Sequence, residues 1–410
     1  MASDQTSVRE ESYAELVVKV GAAVVPGTIV HLRCEYEHAR LARRIVEHAY
    51  AAGARRVLLD YEDPHARLSA LTHAPEDALR EAAGWELARA REFEAQGAAL
   101  IRLTGSSDPH MFDGIDPGRM AAVPIELAGE MRRILLSGNV TWTIVAAPNA
   151  GWAEQIFGEP DLERLWDAVS LAMRLDAPDV VAAWDDHRRS LEGRAAALDV
   201  LDLDAVRYHG PGTDLTVGLI AGSGWTGGGL RTNDGRAYMP NLPTEEVFTT
   251  PDRTRADGVI TLTRPLVMSR AGTVVEGLVV HFRDGAITEV EADSGADVVR
   301  AELATDAGAN RLGEVSLVDE GSRVRAAGLV FHDTLYDENA GCHVAWGSGF
   351  PFSIPGGMSL ASADLVARGI NQSVVHTDVV IGGPQVSVDG LCSDGSVVPI
   401  VADDRWVLPV

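Results

Sequence analysis

The chain has 410 residues, more than one hydrophobic core ordinarily accommodates, so two domains are expected. Its 60 acidic residues against 35 basic ones give a net charge of -25, which argues against nucleic acid and against an anionic membrane surface as partners. With 46% hydrophobic residues and 41 glycines, the composition is that of a globular α/β protein and excludes a disordered chain.

The first half of the chain alternates segments of helical periodicity with short apolar runs. Helices are predicted at residues 11–23, 37–52, 75–96, 117–136, 161–175 and 178–196, and strands at 28–34, 56–61, 98–105 and 139–147. Strands separated by helices in this way indicate βαβ units and a largely parallel sheet.

The turn after the first predicted strand argues against a dinucleotide site. A Rossmann-type site requires a Gly-x-Gly-x-x-Gly turn between that strand and its helix, but residues 33–38 contain no glycine. The dense glycine run at 222–229 has a different pattern and lies elsewhere in the chain. We therefore expect no nucleotide-binding function.

The second half changes character near Ala205 and becomes rich in short alternating segments separated by glycine-containing turns. Strands are predicted at 214–220, 258–263, 274–282, 286–291, 329–331, 373–381 and 386–388. The expected organisation is an N-terminal α/β domain over residues 1–200 followed by a β-rich α+β domain over residues 201–410.

Three cysteines, Cys34, Cys342 and Cys392, are too few and too far apart to indicate a disulfide framework. Cys342 lies beside His343, and in a strand its side chain would face away from a metal held by that histidine, so a packing role is predicted. The N-terminal residues do not resemble a signal peptide, and no apolar run reaches the ~20 residues of a membrane-spanning helix. A cytoplasmic location is therefore expected.

Residues with the strongest chemical potential lie in the second half. In His376-Thr377-Asp378, an imidazole and a carboxylate fall on the same face of an extended segment, and His343 lies upstream. Such ligands suit borderline divalent metals. Glu314 occurs within an apolar run, where a carboxylate is unfavourable unless it is paired or coordinated. The adjacent acids Glu245 and Glu246 are, taken alone, typical of a solvated helix start.

Five segments in one order resemble the aminopeptidase T family of metallo-aminopeptidases, which includes aminopeptidase S and PepS-type enzymes. They read Tyr-His-Gly-Pro-Gly-Thr-Asp-Leu-Thr-Val-Gly-Leu at 208–219, Asn-Leu-Pro-Thr-Glu-Glu-Val-Phe-Thr at 241–249, Arg-Leu-Gly-Glu-Val at 311–315, Asp-Thr-Leu-Tyr-Asp-Glu-Asn-Ala at 333–340 and Val-His-Thr-Asp at 375–378. The resemblance covers nearly the whole chain and implies that family's fold and peptide-hydrolysing activity.

The resemblance implies a site for two divalent metal ions, zinc, cobalt or manganese, with the ligands Glu246, Glu314, His343, His376 and Asp378. Two such ions lower the pKa of a water molecule and polarise a carbonyl group. Either Glu246 or Glu314 could carry a proton to the leaving amine, and the sequence does not choose between them. Glu338 could orient a histidine or could be an ordinary turn acid.

The same resemblance implies the substrates and the assembly. The substrates would be short peptides or aminoacyl amides, with apolar side chains favoured. The chain would form a homodimer, in which the N-terminal domain supports dimerisation and restricts access to an enclosed site.

One position departs from the family pattern. Seven residues after the metal-binding histidine the family has a tyrosine that contributes to the metal site, and here that position is Phe350. Phenylalanine has no hydroxyl group to coordinate a metal or to donate a hydrogen bond. Tyr336 or His332 could compensate for it.

This departure leaves three alternatives to a generic aminopeptidase. They are a specialised amide hydrolase, a ring-cleaving dioxygenase with one Fe(II) held by His343, His376 and Asp378, and an inactive binding homologue. The presence of both Glu246 and Glu314 favours two metals and hydrolysis.

Overall fold

The computed structural model describes residues 2–105, 107–108, 110–120, 122–268 and 273–410. The chain divides into two compact units, the first made of residues 1–186 and 229–243 and the second of residues 187–228 and 244–410. The division into an N-terminal domain of residues 1–200 and a C-terminal domain of residues 201–410 stays a prediction.

The α-helices are short to medium in length and most lie in the first half of the chain. They are α1 (Ala2–Leu16), α2 (Ala39–Ala51), α3 (Pro64–His73), α4 (Glu76–Arg80), α5 (Gly84–Ala95), α6 (Pro117–Met120), α7 (Ile125–Leu136), α8 (Ala150–Phe157), α9 (Leu162–Ala172), α10 (Val180–Asp199), α11 (Ala296–Leu303), α12 (Arg323–Ala326), α13 (Thr334–Asp337) and α14 (Ser362–Ala367).

The β-strands are concentrated in the second half. They are β1 (Ile29–Glu35), β2 (Arg56–Glu62), β3 (Ala99–Thr104), β4 (Thr141–Ala146), β5 (Leu203–Gly210), β6 (Thr213–Leu219), β7 (Thr226–Gly227), β8 (Leu230–Arg231), β9 (Ala237–Tyr238), β10 (Asn241–Leu242), β11 (Val247–Thr249), β12 (Pro251–Thr261), β13 (Leu266–Met268), β14 (Thr273–Val275), β15 (Val279–Arg283), β16 (Ala286–Glu291), β17 (Leu312–Leu317), β18 (His343–Gly347), β19 (His376–Val380), β20 (Ser387–Cys392), β21 (Val397–Ala402) and β22 (Arg405–Trp406).

The first unit is built on a five-stranded parallel sheet in the order β10-β4-β3-β1-β2. Apolar side chains such as Val30, Leu32, Ile101 and Val145 are buried in these strands. These buried positions are the apolar residues from which the strands were predicted. The predicted parallel sheet is therefore present, and each of its four predicted strands ends within two residues of the observed bounds.

Two predicted helices of the first half are each divided. The segment predicted as one helix at 75–96 forms α4 and α5, because the Glu86 side chain accepts a hydrogen bond from the Ala83 amide (2.8 Å) and caps a new helix that begins at Gly84. The segment predicted at 117–136 forms α6 and α7, with Pro124 at the N-cap of α7. Helices α3 and α8 were missed.

Two strand predictions in the second half are also corrected. The predicted strand 274–282 is divided into β14 and β15, because the backbone at Gly277 has a positive φ of 61° that an extended strand does not adopt. Residues 329–331, predicted as a strand, are not in one.

The two largest sheets of the second unit are antiparallel and share a hydrophobic core. The larger has eight strands in the order β16-β15-β12-β6-β5-β20-β21-β22, and the smaller has five in the order β19-β18-β17-β11-β7. Tyr208 and Leu215 of the larger sheet belong to the same buried cluster as Val315, Val344 and Val379 of the smaller one. The opposite face of the smaller sheet is thereby left for polar side chains.

Cys342 is part of that core, with its thiol donating to the Val318 carbonyl oxygen (3.2 Å), as expected for a packing residue. None of the described helices combines the length and the apolar character needed to cross a membrane.

Candidate metal centre

One face of the smaller antiparallel sheet of the second unit, β19-β18-β17-β11-β7, carries two neighbouring rows of side chains. In the first row, Ser316 of β17 pairs with His343 of β18 on one side and with Phe248 of β11 on the other. Directly paired residues of an antiparallel sheet point to the same face, so these three side chains lie side by side. Both Ser316 and His343 are buried, which places polar groups deep in the second unit.

In the second row, Ala345 of β18 pairs with Glu314 of β17 and with Asp378 of β19. The small side chain of Ala345 therefore lies between two carboxylates. His376 is two residues before Asp378 and shares its face, as alternation along the strand predicts. The Nε2 atom of His376 lies 3.5 Å from Oδ1 of Asp378.

Glu246 reaches the first row from the residue just before β11. Its Oε2 atom lies 3.0 Å from Nε2 of His343. The neighbouring Glu245 points elsewhere, with Oε2 3.4 Å from Nε2 of His187 and Oε1 accepting the Arg323 amide (3.3 Å). No helix begins at these two acids, and Glu245 is buried, so the interpretation as a solvated helix start is wrong.

Glu314 connects the two rows. Its Oε2 atom lies 3.2 Å from Nε2 of His376, whereas its Oε1 atom lies 4.0 Å from Nε2 of His343. Two groups of possible ligands result, each with its ligand atoms within 4.8 Å of one another: Glu246, Glu314 and His343 in one, and Glu314, His376 and Asp378 in the other. The structure thus brings all five predicted residues together, with Glu314 in both groups.

Backbone carbonyl groups fix the orientation of both imidazoles. The Nδ1 atom of His343 lies 3.2 Å from the Gly341 oxygen, and that of His376 lies 2.8 Å from the Ser348 oxygen. A carbonyl oxygen only accepts hydrogen bonds, so each Nδ1 carries the proton and each Nε2 faces the carboxylates. Metal-binding histidines are commonly held in this way.

The cluster is exposed to solvent on one side. The side chains of Glu246, Glu314, His343 and Asp378 are between 1% and 11% exposed, but that of His376 is 31% exposed. Phe350 lies at this opening, with its ring centroid 5.3 Å from that of His376. A substrate would therefore approach the cluster beside His376 and Phe350.

The pKa values show that the metal-free cluster binds protons strongly. Burial, together with the charges of Glu246 and Asp378, raises the pKa of Glu314 to about 7. Burial alone would lower the pKa of His343, but its hydrogen bond to Glu246 and the surrounding carboxylates raise it to about 9. The pKa of His376 is raised for the same reason, since Asp378 and Glu314 outweigh the effect of burial. A buried cluster with this excess of carboxylates attracts cations.

These pKa values predict that divalent metal binds more tightly as pH rises. Binding requires ionised Glu314 and an unprotonated Nε2 on His343, so protons compete at both residues below about pH 7 and at His343 up to about pH 9. The logarithm of the zinc dissociation constant should therefore fall as pH rises from 6 to 9, most steeply below pH 7, where Glu314 and both histidines bind protons. Calorimetric titration checks this, with a chelator of known pH dependence as the reference. A dissociation constant independent of pH would contradict it.

Glu338 contacts a carboxylate of the cluster. It is buried, and burial together with the charges of Asp378, Glu246 and Glu314 raises its pKa well above the usual range. It hydrogen-bonds to Asp378; burial would raise the pKa of Asp378, but His376, His343 and, to a smaller extent, this hydrogen bond hold it below its usual value. Of the two roles left open for Glu338, the buried contact with Asp378 differs from both, because the partner is a carboxylate and not a histidine, and because Glu338 is not an exposed turn acid.

Ser316 was not identified from the sequence. Its hydroxyl donates a hydrogen bond to Oε2 of Glu246 (2.7 Å). Ser316 is two residues after Glu314 in one strand, so the alternation that pairs His376 with Asp378 also places Ser316 on the face of the cluster.

The residues present fit a pair of borderline divalent ions. Three carboxylates and two imidazoles supply oxygen and nitrogen ligands of the kind that zinc, cobalt and manganese accept. Both Nε2 atoms lie opposite carboxylate oxygens, and Glu314 presents a different oxygen to each histidine.

Comparison with known proteins agrees with this geometry. The family model described as "Thermophilic metalloprotease (M29)" matches residues 6–406. Aminopeptidase T from Thermus thermophilus is 40% identical over 406 residues, covering 97% of this chain and 98% of that protein. The solved structure of wild-type AmpT from Thermus thermophilus superimposes with a TM-score of 0.89 at 38% identity, covering 97% of this chain and 99% of that one.

A more distant likeness concerns the fold alone. The structure of 2,5-dihydroxypyridine dioxygenase from Pseudomonas putida superimposes with a TM-score of 0.54 at 14% identity, covering 98% of this chain and 97% of that one.

Proposed function

Because the chain belongs to the thermophilic metalloprotease family M29, we propose that this metallo-aminopeptidase holds two divalent metal ions with Glu246, Glu314, His343, His376 and Asp378. Family membership confirms the resemblance to the aminopeptidase T family, the mixed α/β fold and the predicted activity on peptides. The number of ions, their identity as zinc, cobalt or manganese, and the individual ligands are the proposed part.

The position of Glu314 carries the proposal of two ions. A carboxylate that binds a single ion is expected in one group of ligands. Glu314 belongs to two groups, and a different one of its oxygens faces each histidine. One ion would lie with Glu246 and His343, and the other with His376 and Asp378. Glu314 would then be the ligand that both ions share.

The surrounding residues would bind, orient and move protons. Two bound ions supply Lewis acidity, lowering the pKa of a water molecule and polarising the scissile carbonyl group. The backbone oxygens behind His343 and His376 keep both Nε2 atoms directed at the cluster. Glu246 and Glu314 are the two groups placed to transfer a proton to the leaving amine.

Metal analysis coupled to peptide hydrolysis tests the proposal. Protein loaded with zinc, cobalt or manganese is expected to contain about two ions per chain and to release the N-terminal residue from dipeptides and from aminoacyl-p-nitroanilides. Apo-protein prepared with a chelator is the control and should be inactive until metal is restored. If none of the three loaded forms hydrolysed any peptide or aminoacyl amide, the proposal would fail.

Phe350→Tyr is expected to raise activity. The ring at position 350 lies beside His376, and a tyrosine hydroxyl there would add a hydrogen-bond donor near the reacting carbonyl group. Because one such donor is worth about 10²–10³-fold in rate, kcat for leucine-p-nitroanilide should increase by up to about 10²-fold at unchanged metal content. Phe352→Tyr, which alters the ring stacked on Phe350, is the matched control. An unchanged kcat in Phe350→Tyr would show that the tyrosine is dispensable in this chain.

The alternative of a single-iron dioxygenase has less support. It needs His343, His376 and Asp378 around one ion, but among the described residues the two histidines fall in separate ligand groups. Each histidine is instead grouped with Glu314. The arrangement therefore favours hydrolysis, and a specialised amide hydrolase would use the same two-metal centre.

The homodimer, the cytoplasmic location and the role of the N-terminal domain in dimerisation and access remain part of the proposal, supported by the family resemblance. Light scattering coupled to size-exclusion chromatography tests the dimer. The expected particle mass is twice the 43.7 kDa of one chain.

A further inference from the structure

Ser316 occupies a fixed position in the first row of the candidate centre. It is fully buried in β17, with its hydroxyl 2.7 Å from Oε2 of Glu246. The same carboxylate oxygen lies 3.0 Å from Nε2 of His343. The backbone carbonyl of Ser316 accepts a hydrogen bond from the buried hydroxyl of Tyr208 (3.2 Å), so the residue is held on the core side of the sheet as well.

Glu246 needs such a partner because of where it comes from in the chain. The other carboxylate ligands, Glu314 and Asp378, are fixed within strands, but Glu246 precedes β11 and lies outside the regular ladder. A glutamate side chain has three torsions, and holding it in one geometry is entropically unfavourable unless a specific contact favours that geometry. A buried carboxylate also requires hydrogen-bond donors.

We propose that Ser316 is a positioning residue that sets Glu246 in its metal-binding orientation, an inference that rests on the proposed two-metal function. A carboxylate oxygen accepts more than one interaction, so the Ser316 hydroxyl can remain bonded to Oε2 while the carboxylate also binds a metal. The hydroxyl donates to a ligand and does not itself coordinate an ion.

The effect of Ser316 is confined to one of the two ions. Its hydroxyl contacts Glu246, which belongs to the group with His343, whereas His376 and Asp378 form the other group. Loss of a contact behind a ligand lowers metal affinity by about 10–100-fold. Ser316→Ala therefore lowers the affinity for the ion at Glu246 and His343 by this factor and leaves the affinity for the other ion unchanged.

Titration of the metal-free chain with Co²⁺, followed by visible absorption and by equilibrium dialysis, tests this inference. The unaltered chain is expected to bind two ions tightly, and Ser316→Ala one ion tightly and one about 10–100-fold more weakly. Thr249→Val is the matched control, because it removes another buried hydroxyl of the same sheet whose hydrogen bond goes to the Gly224 carbonyl (2.8 Å). It should leave both affinities unchanged.

A double-mutant cycle separates positioning from a general structural role. In a Glu246→Gln background, Ser316→Ala should change the remaining Co²⁺ affinity by less than about 2-fold, because the residue it positions is already altered. Two unchanged affinities in Ser316→Ala, equal weakening of both ions, or additive effects in the cycle would each overturn the inference. If the unaltered chain bound fewer than two ions, the proposed function would fail instead.

Discussion

Glu314→Gln is expected to weaken the binding of both metal ions and to reduce kcat/KM for aminoacyl-p-nitroanilides by about 10²–10³-fold, the scale of losing one group that stabilises charge in a transition state. Glutamine has almost the same shape, but it carries no charge and turns an NH₂ group toward one of the two histidines that the Glu314 oxygens face. The NH₂ group cannot bind a cation, and the uncharged amide oxygen left for the other ion is a weaker ligand than a carboxylate oxygen, so the binding of both ions is weakened. Metal content by mass spectrometry and hydrolysis of leucine-p-nitroanilide are the two measurements.

Two further glutamates make this result specific. Glu246→Gln should weaken one ion only, because Glu246 belongs to a single ligand group. Glu245→Gln makes the same chemical change at a position as buried as Glu314, where the side chain faces His187, and should retain both ions. If Glu314→Gln kept one ion at the affinity of the unaltered chain, Glu314 would not be shared.

The parallel sheet of the first unit could be predicted because each strand is a short run with apolar side chains, several of them buried, such as Val30, Leu32 and Ile101, between segments of helical periodicity. The helix boundaries between residues 64 and 136 could not, because they depend on local contacts that periodicity does not reveal. Glu86, for example, fits a continuous helical pattern, yet its side chain caps the Ala83 amide and begins a new helix. Similarly, the strand predicted at 274–282 looked continuous, and the positive φ of Gly277 divides it.

The ligands of the candidate centre came from the family resemblance, but their arrangement depends on strand register. The pairing of β17 with β18 shifts between Leu312 and Glu314, and this irregularity places Glu314 opposite Ala345. Because a shift of one residue moves every side chain of a strand to the other face, register determines which acids meet. No pattern in the sequence specifies that shift, so the sharing of Glu314 between two groups emerged only from the structure.

Ala345→Leu is expected to abolish metal binding at the His376 side of the centre and to lower kcat/KM by at least about 10²-fold, the scale of a displacement of roughly 1 Å in an active site. Ala345 is fully buried and pairs directly with Glu314 and Asp378, so a larger side chain would occupy the space between their carboxylates. The five ligands stay chemically intact in this variant, and the loss would arise from volume alone. Co²⁺ titration and leucine-p-nitroanilide hydrolysis provide the measurements.

Ala345→Gly distinguishes blocked space from a weakened strand. Glycine leaves the space between the carboxylates open and should retain both ions, although it lowers the free energy of unfolding by about 0.5–1 kcal/mol. Overpacking by leucine costs about 1–3 kcal/mol, so urea denaturation of both variants shows whether each remains folded. A folded Ala345→Leu protein that bound two Co²⁺ ions at the affinity of the unaltered chain would contradict the proposed ligand group of Glu314, His376 and Asp378, because metal binding there would not need the space between the two carboxylates.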